Sequence, residues 1–203
     1  MPEALVASTA AVELDVPRSA PELLKWASQF PSFQITAPID VDEIARLLKI
    51  RVVDRIYPNN PDIVGQIFFT PNREPIIELN VAQNSYAPRR RFTLAHEIGH
   101  FCLHARQGEP CFVDTRERMS RKETFWDAHE SQANSFAAAL LMPRDLIFSE
   151  GKSIIDEFSR PDQSTGATRN ISAEDFIDAM ARKFNVSNVS MEYRLRNLEI
   201  IKD

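Results

Sequence analysis

The stretch Phe92-Thr-Leu-Ala-His-Glu-Ile-Gly-His-Phe-Cys-Leu-His104 constrains this chain more than any other. At about 100° per residue, Leu94, Ala95, Ile98, Phe101, Cys102 and Ala105 form one apolar stripe, which predicts an amphipathic helix. His96 and His100 fall on the opposite side with Thr93 and His104, and Glu97 sits at the edge. Residues four apart on a helix lie one above the other, so the two imidazoles can aim at one point. A zinc ion holding nitrogens at about 2.0–2.1 Å requires that convergence. The His-Glu-x-x-His spacing therefore predicts a metal-binding helix, with Glu97 placed to take a proton from water beside the metal. The plain alternative is a wet helix face that happens to carry these residues. Gly99 in mid-helix costs roughly 1 kcal/mol against alanine, a cost that close approach by another element would explain.

A third ligand has to come from elsewhere. His104 lies eight residues beyond His96, a rise of about 12 Å, too far for one tetrahedral ion to bind both together with His100. It is read as a residue supporting the site or as a partly buried polar side chain. The helix expected from Trp126 to Met142 offers a better source. Its apolar face is Trp126, Ala133, Phe136, Ala137, Leu140 and Leu141, and Glu130 projects among them. A carboxylate there is costly unless it is paired or binds a cation, so metal ligation and a salt bridge to an arginine both remain open. Asn134, one turn on, is placed to accept the second N–H of a ligating histidine. His129 points about 100° away from Glu130 and makes a poorer ligand.

The rest of the chain reads as one substantial domain, residues 21–203, behind a loose arm over residues 1–20. The net charge of −5 gives no general attraction to nucleic acid or anionic membrane. No apolar run approaches the roughly 18–20 residues of a membrane span, and Ala4 to Val12 has no basic leader. Cys102 and Cys111 could pair, but a cysteine on a packed helix face reads as a thiol, which points to a reducing cytoplasm. Helices are expected over Pro21–Phe30, Asp40–Leu48, Pro88 to about Gly108, Trp126–Met142, Arg144–Phe158, Ser172–Phe184 and a last segment carrying Met191, Leu195 and Leu198. Strands are expected over Ile50–Ile56, Ile63–Thr70 and Ile76–Asn80, the last two as a hairpin. The charged segment to about Thr124 reads as a surface loop, and Arg160–Asn170 as disorder. Arg89-Arg90-Arg91 opposes the dipole of the helix it begins and calls for acidic partners or solvent.

Two separate motifs carry a family resemblance. Arg91-Phe-Thr-Leu-Ala-His-Glu-Ile-Gly-His100, followed by Glu130-x-x-Ala-Asn134-x-Phe-Ala-x-x-Leu-Leu-Met-Pro143, resembles the ImmA/IrrE metallopeptidases. The ending Val186-Ser, then Arg194-Leu, is similar to theirs as well, so the likeness runs from about Pro38 to Ile201. It implies an α+β, zincin-like fold: a small, mostly antiparallel sheet packed against several helices. It also implies one zinc held by His96, His100 and Glu130, as in gluzincins, with Glu97 as general base. Such proteins occur in bacteria, phages and mobile elements, and characterised examples cleave a helix-turn-helix repressor. The expected function is thus a zinc endopeptidase making a regulatory cut in a cytosolic partner.

Tyr86, Tyr193, Arg194 and His129 are candidates for stabilising the oxyanion. Ile76, Ile77, Glu78, Leu79 and Asn80 are candidates for pairing with an extended substrate, if they form a sheet edge. A reading from another class takes residues 172–200 as a helix-turn-helix-like pair that binds DNA or a partner, as in a toxin-type protein with zinc structural or idle. Arg194 and Arg196 are there offset by Glu192 and Glu199, a weak phosphate footprint, so direct nucleic-acid binding is not expected.

Overall fold

The computed structural model describes residues 16–104, 111–115, 125–160 and 170–202. In chain order the elements are α1 (Ala20–Ala27), α2 (Val41–Leu47), β1 (Arg51–Arg55), β2 (Ile63–Phe69), β3 (Pro75–Asn80), α3 (Ala87–Leu103), β4 (Cys111–Thr115), α4 (Phe125–Leu141), α5 (Arg144–Phe158), α6 (Ala173–Phe184) and α7 (Asn188–Asn197). Among the described residues, four helices start at a side-chain cap, Ser19, Asp40, Ser172 or Ser187, each accepting from a backbone N–H in the first turn. Such a cap is worth about 1 kcal/mol. Most of the arm expected over 1–20 and most of the disorder expected over 160–170 lie outside the described residues. Within the arm's expected range, Val16 and Ala20 are buried.

The sheet is mixed and four-stranded, in the order β1-β3-β2-β4. β2 pairs antiparallel with both β3 and β4, while β1 pairs parallel with β3. This arrangement corrects two expectations. The segment 111–115, read as part of a loop, is a strand, because the free side of β2 gives its backbone a partner. The strand Ile76, Ile77, Glu78, Leu79, Asn80 is interior rather than an edge. Both of its backbone sides are taken, by β1 and β2, so it cannot pair with a substrate. Instead, Glu78 holds the outer face of the sheet together. Its buried carboxylate accepts hydrogen bonds from Arg55 Nη1 (2.6 Å), Tyr57 Oη (2.5 Å) and Gln66 Nε2 (2.7 Å).

The opposite face of the sheet lies on α3. Gly65 and Ile67 of β2 stand beside Leu79 and Ile77 of β3 in register. Further along, the ring of Phe69 stacks on Phe101 at 6.2 Å between centroids. α4 also packs on α3, and Gly99 faces it closely. A Cβ there would lie 3.3 Å from Ala133 Cα and Ala133 O. The mid-helix glycine therefore makes room for a neighbouring backbone. α3 is also tethered at its start. Arg90 bonds to Asp42 and Asp54, and Arg91 donates to the carbonyls of Ile39 and Asn185. Arg90 and Arg91 thus find acidic and carbonyl partners within the fold, holding the helix against α2, β1 and the α6–α7 turn.

Candidate metal centre

α3 and α4 bring His96, His100 and Glu130 to one buried point. The two Nε2 atoms are 3.0 Å apart, and each lies 3.3 Å from an oxygen of the Glu130 carboxylate. A tetrahedral ion with bonds near 2.0–2.1 Å needs ligand-to-ligand edges of about 3.3–3.4 Å. The trio fits that geometry with little adjustment. Both histidines are fully buried and Glu130 is 6% exposed. Burial pushes the Glu130 carboxyl up, but hydrogen bonds from His100 and His96 outweigh it and hold the group below the ordinary carboxylate range. The ionised, ligating form is therefore the one this pocket favours. These three side chains can hold a metal ion.

Asn134 lies one turn beyond Glu130 on α4, and its Oδ1 is 3.0 Å from His96 Nδ1. An acceptor at Nδ1 favours the proton there, so that Nε2 can give up its own proton and offer a lone pair to a metal ion. His104 is 3% exposed and stacks on His129 at 4.1 Å between centroids, with the His100 ring 5.4 Å away. Burial, then the charges of His129 and His100, push the His104 pKa down to about 4, so this ring is neutral near pH 7. His129 meets His104 face to face and does not belong to the converging trio.

The other candidates are more dispersed. Tyr86 precedes α3 and is 59% exposed, while Tyr193 on α7 is 66% exposed. Arg194 donates from Nε to the carbonyl of Met142 at 3.0 Å, which ties α7 to the end of α4. Glu97 is fully buried, and its carboxylate turns towards β2, where Oε1 lies 2.6 Å from the place a Cβ on Gly65 would occupy. Neither Gly65 nor Asn84, a buried residue between β3 and α3, is among the candidates read from the sequence. A glycine inside a strand is a usable signal of close approach, and Gly65 carried it.

Because α4 contributes both Glu130 and Asn134, its spacing from α3 sets the site. Gly99→Ala should raise helix propensity yet push α4 outward by a few tenths of an ångström, since backbone atoms stand in the way. We expect roughly tenfold weaker metal binding with the fold retained, the scale of losing a supporting contact. A chelator-competition titration alongside circular dichroism checks this.

A mixed sheet over a central helix, with two histidines from that helix and a carboxylate from the next, defines an α+β domain of zincin type. The chain belongs to the peptidase family described as the IrrE N-terminal-like domain, whose model matches residues 56–196. Among solved structures, a Mycobacterium tuberculosis transcriptional regulator is similar, with 15% identity and a TM-score of 0.51. The match covers 87% of this chain and 46% of that one, so this chain spans less than half the length of that relative. No curated protein is significantly similar in sequence. Among the described residues, no helix is long and apolar enough to cross a membrane.

Proposed function

We propose that this chain is a zinc-dependent endopeptidase that makes one regulatory cut in a cytosolic helix-turn-helix repressor. The observation that carries the reading is the convergence of His96, His100 and Glu130 in a buried trio, with Glu97 on the same helix as the histidines. His96, His100 and Glu130 would hold the ion with three protein ligands, which suits catalytic rather than structural zinc. When bound, zinc supplies polarisation of the scissile carbonyl and acidification of water. Glu97 then serves as the proton carrier, taking a proton from the attacking water and delivering it to the leaving amine. Asn134 holds His96 in the tautomer that ligates. An extended substrate would add to the sheet at β4, an outer strand beside β2, on the side where Gly65 meets Glu97.

The competing DNA-binding reading loses support at α7. Arg194 is engaged with the Met142 carbonyl, Arg196 pairs with Glu192 one turn back, and Met191 and Leu195 are buried. The regulatory name of the longer solved relative fits a role in gene control exercised through a partner. Two results are expected. Purified protein should carry one zinc per chain, removable by chelator, and well under one equivalent after reconstitution would count against the site. Co-expression with helix-turn-helix repressors should yield a single cut in one of them with little digestion of casein. Broad digestion of unrelated unfolded proteins would contradict the proposed specificity.

A further inference from the structure

Gly65 sits on β2 directly over α3, in a strand that is bulged at that point. Ile63 pairs with Thr115 of β4, but Gly65 pairs with Asp114, so Val64 is the extra residue. A bulge re-aims a strand, and here two buried asparagines hold the re-aimed segment: Asn80 donates from Nδ2 to the carbonyl of Ile63 at 2.7 Å, and Asn84 takes the next residue. Asn84, in the connection from β3 to α3, donates from Nδ2 to the carbonyls of Val64 and Asn80, both at 2.8 Å. Its Oδ1 accepts a 2.7 Å hydrogen bond from Thr93 Oγ1. Thr93 is one turn before Glu97 on α3. The amide thus clamps the bulge of β2 to the helix that carries His96, Glu97 and His100.

The clamp brings the strand so close that no side chain fits at position 65. A Cβ there would lie 2.6 Å from Glu97 Oε1 and 2.8 Å from Thr93 Cγ2. The backbone of Gly65 is not in the left-handed region, so its conformation alone does not demand glycine. The space is what demands it, and the Glu97 carboxylate occupies that space. We infer that Gly65 is a positioning residue for Glu97: its missing side chain is the berth of the carboxylate, held at fixed depth by the Val64–Asn84–Thr93 clamp. The functional weight of this inference rests on the reading of Glu97 as proton carrier, whereas the berth itself does not.

The test is a coupling measurement on full-length protein, made in a Thr93→Ser background. Serine removes the methyl obstacle and keeps the hydroxyl for Asn84. Gly65→Ala is compared with Glu97 present and with Glu97→Ala, each with and without zinc. With Glu97 present, the expected loss is roughly 3–10 °C in Tm, the scale of an overpacked core position in a chain of this size. With Glu97→Ala, most of that loss should vanish. Equal losses in the two backgrounds would overturn the inference, because the glycine would then serve the backbone and not the carboxylate. If Gly65→Ala is insoluble, recovery of soluble protein on adding Glu97→Ala supports the berth, and no recovery refutes it. Zinc affinity, read by chelator competition, should stay within about threefold of wild type, while kcat for the partner cut falls about tenfold or more. Tenfold weaker zinc in Gly65→Ala would mean that the residue serves the metal ligands instead, against the inference. A wild-type protein that binds zinc but cuts no partner would sink the peptidase reading and leave the coupling result to judge Gly65 by itself.

Discussion

Glu97→Gln should abolish turnover almost completely, by about 10²–10⁴-fold, while zinc stays bound at one per chain. The substitution keeps the size of the side chain, so the berth against Gly65 remains filled and both histidines stay in place. What disappears is the ability to take and return a proton. Metal content and cleavage of a repressor partner, measured on the same preparation, separate this outcome from simple unfolding. Near wild-type cleavage by the variant would rule out the proton-carrier role, and loss of zinc would mean that Glu97 supports the metal as well.

Glu130→Ala should fail in the opposite order, losing the metal first and activity as a consequence. Its carboxylate closes the trio, 3.3 Å from each histidine Nε2. Without it, two buried imidazole nitrogens face each other across 3.0 Å with no anionic ligand to complete the set. Losing a direct ligand should exceed the 10–100-fold typical of supporting contacts, so zinc affinity is expected to fall by more than about 100-fold. Chelator competition measures it. Should Glu130→Ala hold zinc as tightly as wild type, the third ligand lies elsewhere, and His129→Ala is the next variant to compare. The contrast between the two glutamates is sharper than either result alone, because a generally destabilised protein would lose both properties together.

The convergence of His96, His100 and Glu130, which could hold a metal ion, was legible in the sequence because it depends on local helix geometry. His96 and His100 share a helix face by spacing, and Glu130 stands out as a carboxylate on an otherwise apolar helical face. Most of the expected helix boundaries fall within a residue or two of the observed ones, because helix signals are local as well. Strand order was not legible. The hairpin of β2 and β3 follows from adjacency, but nothing in Ile76–Asn80 says that β1 returns to cover its other side. The strand at 111–115 is short and set among charged residues, and it exists because β2 offers a free edge. Gly65 and Asn84 escaped notice for a related reason. Their meaning depends on which strand lies over α3, and that is settled only by the assembled sheet.

Purified, zinc-loaded protein is incubated with helix-turn-helix repressors, and the products are mapped by mass spectrometry before chelation, after chelation and after zinc is restored. A single new cut in one repressor is expected, lost on chelation and recovered with zinc. The same cut persisting in chelated protein, or no cut in any repressor while one zinc per chain is bound, would contradict the peptidase reading.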